Sequence, residues 1–533
     1  MKDTLLIVST LLALVLYGCN TSREVTIYTN PIINADAPDP SLTRCGDDFY
    51  LITTTMHMMP GAPVMKSKDL VHWELVSYVF DTLNDTPKYD MEEGTVYGRG
   101  QWASSIRYYD GKFYVLFSPN DEPHRAYIYS SKDPSTDKWE LVSRIPHFHD
   151  ASLFFDDDGR VYVFYGTGSL RELKPDLSNV KEGGVNMRIF ERDEEETGLL
   201  EGSHVIKHNG KYYLMMISWP KGEPRRQVCY RSDSITGPYE KKVVLEDNFA
   251  GFPYVGQGCL IDDKNGNWYA IIFQDREAIG RVPLLMPCTW IDGWPMLGDE
   301  NGKVPAIGEV PFKSHPVDSR IVESDNFDSP ELKICWQWNH NPLNEYWSLT
   351  ERPGYLRLKT NKIADNLYVA RNTITQRMEG SMCQGTVVLD LTHMKVGDVA
   401  GISAFNGHAG LLSVKKDENE TKYLTMSTNV VELSGKEKAV LGVEVEEKER
   451  VRLSADIVYL RIDCDFNLNR DIAAFYYSTD NKNWTKIGRD FKMRFDYRRL
   501  FMGTRFALFN YATKEAGGYV DIDFFDYQVN NSK

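Results

Sequence analysis

Beyond residue 25 the apolar positions recur in short alternating runs, not in helical steps. One phrase returns five times: GDDFYLI from Gly46, DGKFYVLF from Asp110, DGRVYVFYG from Asp158, NGKYYLMM from Asn209 and NGNWYAIIF from Asn265. Each couples an Asp-Gly or Asn-Gly turn, or a near variant, to a strand of alternating aromatic and aliphatic residues, which is the hairpin signal of a meander. Aligned on Tyr50, Tyr114, Tyr162, Tyr213 and Tyr269, successive copies stand 64, 48, 51 and 56 residues apart. That spacing suits one four-stranded blade per copy. A second element keeps the same period, as SKDLVHWELV from Ser67, SKDPSTDKWELV from Ser131 and SDSITGPYEKKVVL from Ser232. Two registers of repetition at one period predict a five-bladed β-propeller over residues 25–312.

The repeat stops after GWPMLGDENGKVPAIGEVPF, and the polar stretch KSHPVDSRIVESDNFDSP follows. Beyond it come short alternating strands such as YLRLKT, GTVVLDL, LRIDCDF, AAFYYS and YVDIDFFDYQV. Even strand spacing with polar turns predicts a second domain over residues 320–533, a β-sandwich or jelly roll. No helical periodicity competes, so the fold class is all-β.

Composition narrows the function classes. The 533 residues are 42% hydrophobic and 26% charged, ordinary for a globular chain and enough for two or three cores. The formal charge of -15, with no basic run, excludes a groove that tracks nucleic-acid phosphates and favours a neutral partner. Aromatics reach 12%, which suits sheets and also the stacking of rings on sugar faces.

The apolar stretch from Leu5 to Leu16 follows Lys2 and is too short to span a bilayer. With Leu16-Tyr17-Gly18-Cys19 it resembles an export signal over residues 1–19 that ends in a lipobox. The expectation is an exported periplasmic lipoprotein, lipidated at Cys19, with that lipid as its sole membrane attachment. Seven further cysteines are scattered without a disulfide framework or a metal knuckle, so buried thiols are expected.

Propeller chemistry gathers where the innermost strands converge, which directs the search to acids at the heads of those strands. Asp39 lies in ADAPDPS between Pro38 and Pro40, whose rings restrain the backbone on either side and push Asp39 toward extended geometry. The competing reading is a surface turn in which Asp39 caps an amide, and Asp36 is the rival carboxylate. Asp150, in HFHDASLFFDDDGRVY, heads the third unit, whereas Asp156, Asp157 and Asp158 read as a solvated turn into Gly159. Glu201, in LLEGSHVIKHNGKYY, precedes the fourth repeat, as a proton donor or as an edge residue paired to Lys207. The three acids fall at equivalent phases of separate blades, which the competing readings do not predict.

These residues carry a resemblance. NPIINADAPDPSLTRCGDDFYLITTT, DASLFFDDDGRVYVFYG and LLEGSHVIKHNGKYYL resemble the three acidic motifs of glycoside hydrolase family 43. QWASSIRYYDGKFYVLFS adds to the likeness, and DNFDSPELKICWQWNHNP with PGYLRLKT resembles the concanavalin-like domain of its β-xylosidase-type members. The resemblance implies that Asp39 is the general base, that Asp150 orients the acid and tunes its pKa, and that Glu201 is the general acid. It also implies that Arg276 in FQDREAIG reaches the substrate pocket, against a surface ion pair with Glu277 or Asp275.

Many family members carry an axial histidine that helps hold a calcium ion or water, but YVGQGCLID puts Gly256 there, so no metal or other cofactor is expected. Trp102 could stack on a sugar or pack between blades. His204 is expected to support Glu201 by hydrogen bonding, and His57 to line the pocket rim.

The activity so implied is inverting, exo-acting hydrolysis of hemicellulose oligosaccharides such as xyloglucan or arabinoxylan fragments, by an α-L-arabinofuranosidase. A β-D-xylosidase or bifunctional enzyme is the alternative, and a non-catalytic glycan-binding lipoprotein the alternative from another class.

Overall fold

The computed structural model describes residues 24–136, 138–317, 321–435 and 438–530. The export signal and Cys19 lie outside the described residues. Five four-stranded antiparallel sheets form the blades of a β-propeller. Their innermost strands are Ser41–Cys45, Gln101–Tyr109, Ser152–Phe155, Leu199–His208 and Val255–Asp262. These touch in a closed ring, the fifth against the first.

The repeated phrase marks the turn out of each inner strand. Gly111, Gly159 and Gly210 sit at φ 75°, 79° and 75° with open space where a Cβ would stand. Backbone conformation, not crowding, therefore selects glycine at these turns.

Closure lies partly outside the blades. Thr26–Thr29 pairs with Ile307–Val310, and Asn30 Nδ2 donates to the carbonyls of Leu285 (2.7 Å) and Pro305 (2.9 Å). Between the first and last inner strands, Arg44 Nη2 meets Asp262 Oδ2 at 3.0 Å.

The chain then builds a β-sandwich of an eight-stranded and a seven-stranded sheet. The eight-stranded sheet takes its edge from the propeller, where Met58 and Met59 pair with Asn339 and Trp338. One apolar cluster runs from Leu51 and Met65 of the first blade through Trp338 and Ile374 to Phe525 of the sandwich. The two domains thus share a core.

Asp36, the rival carboxylate, belongs to this seam. Its Oδ1 accepts from the Arg281 amide at 2.8 Å and its Oδ2 from the Gly503 amide at 2.9 Å. His57 is also in the seam and not on a pocket rim, which corrects the expectation for it. It is 0% exposed, its Nδ1 accepts from Gly98 N at 3.4 Å, and the rings of Tyr97 and His340 lie 4.9 and 5.1 Å away. Burial pushes its pKa down to about 3. The pattern around His57 gave no sign of a partner supplied more than 280 residues later. Of the seven described cysteines, all free, six are buried and Cys45 is half-buried.

Candidate active site

Asp39 immediately precedes the first inner strand's neighbour Pro40, Asp150 stands two residues before the third inner strand, and Glu201 lies within the fourth. Three different blades thus carry the acids to one end of the channel.

The backbone at Asp39 differs from expectation. It is left-handed, with φ 54°, not extended. A following proline disfavours the right-handed helical region and leaves the extended and left-handed wells, of which aspartate tolerates the second better than most residues. The side chain is fixed from two sides. Thr54 Oγ1 donates to Oδ2 at 2.7 Å, and Arg281 Nη1 donates to Oδ1 at 3.1 Å. Burial raises the Asp39 pKa above the usual carboxylate range, opposed by the Arg281 charge and the Thr54 hydrogen bond.

Asp150 is left-handed too, at φ 48°. Consecutive side chains of an extended chain point to opposite faces, and the turn at Asp150 breaks that alternation so that His149 and Asp150 both face Glu201. His149 Nε2 stands 3.1 Å from Glu201 Oε2 and 3.8 Å from Asp150 Oδ2. One polar atom from each of the three side chains lies within 4.8 Å of the other two. Asp39 is within electrostatic reach of both Glu201 and Asp150.

Exposure separates the carboxyls. The Asp150 side chain is 7% exposed and that of Glu201 30%. Burial pushes Asp150 up to about 7, against the pull of His149. The hydrogen bond to Glu201 pushes His149 up to about 9, against burial. The site therefore holds a clamped carboxylate next to a cation and, within electrostatic reach of it, a wetter carboxyl with a titrating neighbour. Such a set can take a proton from one molecule and give one to another.

The walls come from both domains. Trp102, half-buried, places its ring 5.9 Å from that of His149 and donates from Nε1 to the Gly98 carbonyl at 3.2 Å. Phe501 of the sandwich lies 5.8 Å from Trp102 and 4.6 Å from the Arg281 guanidinium. Trp102 thus packs the second blade against His149 of the third and Phe501 of the sandwich, beside the acids.

His204 is not there, which corrects the expectation that it supports Glu201. A bulge separates the two along their strand, and His204 Nε2 meets Arg107 Nη1 at 3.3 Å while Glu201 pairs with His149. Arg107 also reaches Ser152 Oγ (2.7 Å) and the Val205 carbonyl (3.2 Å), tying three inner strands together. Burial holds the His204 pKa well below its usual value, so it is a neutral brace.

Arg276 forms neither expected ion pair among the described residues. Asp275 pairs with Arg225 at 2.9 Å, and Arg276 Nε donates to Gln274 Oε1 at 3.0 Å with its guanidinium 5.1 Å from the Phe252 ring centre. Asp156 also departs from the solvated turn: it is buried, held by Lys207 Nζ at 2.6 Å and Tyr212 Oη at 2.7 Å. Lys207 is thereby occupied and leaves Glu201 to His149.

Sequence reasoning missed His149, Arg281 and Phe501. His149 stands in the FHDAS string beside Asp150, and an imidazole next to a candidate acid was the available signal. Phe501 had none, because its approach depends on how the domains dock.

With this geometry in hand, the comparisons with known proteins decide the family. The model of glycosyl hydrolases family 43 matches residues 28–295. The chain belongs to this family. The β-xylosidase C-terminal concanavalin A-like domain matches residues 324–528, so both halves of the chain follow family 43 architecture.

A β-xylosidase of Formosa agariphila is 33% identical over 95% of this chain and 91% of its own length. A non-reducing end α-L-arabinofuranosidase of Bacteroides ovatus is 32% identical over 65% of this chain and 68% of its own. Among solved structures, a bifunctional GH43-CE protein of Bacteroides eggerthii superposes with a TM-score of 0.85 at 43% identity. It is covered over 95% of this chain, which spans 64% of that longer protein. The protein is accordingly a glycoside hydrolase.

Proposed function

We propose that this family 43 member is an inverting, exo-acting pentosidase. Asp39 acts as general base, Glu201 as general acid, and Asp150 orients the acid and tunes its pKa. The observation that carries this reading is the meeting of carboxyls from three blades beside Trp102, with Phe501 of the second domain packed against Trp102 and Arg281.

The chemistry follows from the positions. Asp39, clamped by Arg281 and Thr54, takes a proton from a water that attacks the anomeric carbon. Glu201 gives its proton to the departing oxygen as the glycosidic bond breaks. Inversion requires room for that water between the two carboxyls, a separation of about 6.5 to 9.5 Å in inverting enzymes generally. Asp150, buried beside His149, shares with Glu201 the imidazole that holds the acid in place. The domain seam at Phe501 supports exo action, since a wall on one side leaves space for a terminal sugar, not for a chain running through.

For the sugar, a relative matched over 95% of this chain is a β-xylosidase, which favours terminal β-D-xylosyl units. The second reading is release of terminal α-L-arabinofuranosyl units from hemicellulose oligosaccharides, favoured by the Bacteroides ovatus relative. Rates on p-nitrophenyl β-D-xylopyranoside and α-L-arabinofuranoside test both. A kcat/KM at least tenfold higher on the xyloside is expected under the first reading and the reverse order under the second. No turnover of either glycoside overturns the pentosidase assignment.

A further inference from the structure

His149 lies between the two carboxyls nearest the leaving-group side, and nothing in the mechanism above uses it. Its place is built. The His149 carbonyl accepts from the Gly166 amide at 2.8 Å, and the left-handed turn at Asp150 keeps its ring on the pocket side. The ring packs against Trp102, with Nε2 aimed at Glu201 Oε2. The side chain is 36% exposed, open enough to exchange a proton with solvent.

We propose that His149 is the positioning residue that holds Glu201 and returns to it the proton spent in each turnover. This rests on Glu201 being the general acid.

The proton balance closes. In the chemical step Glu201 loses a proton to the leaving oxygen and Asp39 gains one from water. The pair carries one proton before the step and none after it; to reset, neutral His149 takes a proton from solvent and the imidazolium so formed passes its Nε2 proton to the Glu201 carboxylate. Asp39 releases its own to solvent. No oxidant or further reactant enters.

The charged and titratable groups around His149 support this role. Glu201 and Asp150 face Nε2, Asp39 acts from the first blade, and the neighbouring His147 is held neutral, its pKa pushed down to about 4 by burial. Three carboxyls against one imidazole favour the imidazolium, and His149 is pushed up to about 9. The Glu201–His149 pair then carries its last proton to a higher pH than a lone carboxyl does, and that proton belongs to the pair.

The sign for activity follows. An acid that must be loaded sets the alkaline limb of the pH profile, and the pair places that limb at the loss of its last proton. In His149→Gln a hydrogen-bonding amide remains but no exchangeable charge does. The alkaline limb of kcat/KM on an unactivated xylo- or arabino-oligosaccharide is expected to move acidward by about one pH unit or more. On a 2,4-dinitrophenyl glycoside, whose leaving group needs no proton, the limbs of the two enzymes coincide.

A limb that stays put in His149→Gln, or one that moves to higher pH as loss of a plain cation would make it, overturns the proposal. Histidine-labelled wild-type enzyme offers a second route should that variant not fold. One imidazole is expected to titrate well above the ordinary range by NMR and to fall in Glu201→Gln; an imidazole that titrates unchanged in that variant also overturns it. Full activity of Glu201→Gln on the oligosaccharide would instead remove the acid assignment on which the proposal rests.

Discussion

Glu201→Gln loses activity in proportion to how much help the leaving group needs, whereas Asp39→Asn loses it on every substrate. On oligosaccharides each variant is expected to fall by roughly 10² to 10⁴ in kcat/KM, the usual worth of one proton-transfer group. The contrast between the two follows from their places. Glu201 meets the departing oxygen, so a 2,4-dinitrophenolate, stable without a proton, restores most of the rate to Glu201→Gln. Asp39 sits against Arg281 and Thr54 and acts on water, whose attack no leaving group can replace. Asp39→Asn therefore stays inactive on the activated glycoside. Both variants conserve size and are expected to keep the wild-type circular dichroism. Equal losses of the two variants on the activated glycoside would contradict the division of roles.

The second large effect is expected away from the reacting atoms. Asp36→Ala removes the acceptor of two buried amides, Arg281 N and Gly503 N, that lie in different domains. Leaving a buried donor unpaired costs about 1 to 3 kcal/mol each, so the seam loses on the order of 2 to 6 kcal/mol. The same amides set the positions of the Arg281 side chain, which clamps Asp39, and of Phe501, two residues before Gly503. Thermal unfolding is expected about 2 to 5 °C below wild type, with kcat/KM falling as well. Asp36→Asn, which keeps one acceptor oxygen, falls between. A melting temperature for Asp36→Ala equal to that of wild type would show that the seam is held elsewhere.

The blades were legible because their signal is local. An Asp-Gly or Asn-Gly pair makes its turn from its own backbone, and the alternating aromatics after it bury one face whatever lies elsewhere in the chain. The heads of the inner strands followed from that period, and with them Asp39, Asp150 and Glu201.

What the sequence left hidden depends on contacts between distant segments. His57 reads as a pocket-rim residue until Met58 and Met59 join the sandwich sheet and cover it. His204 reads as a neighbour of Glu201 until a bulge turns it onto Arg107. The left-handed backbone at Asp39 was one of two wells a following proline allows, and its partners Thr54 and Arg281 come from elsewhere in the chain. Phe501 enters the site from a domain whose docking no local pattern encodes.

The most direct test of the account is the anomeric configuration of the sugar at the instant of release, read by proton NMR before mutarotation during rapid hydrolysis of an aryl pentoside. With Asp39 activating water across the bond from Glu201, the first-formed sugar carries the configuration opposite to that of the substrate. Release with configuration retained would mean that a carboxylate attacks the sugar itself, and Asp39 could not hold the role given to it here.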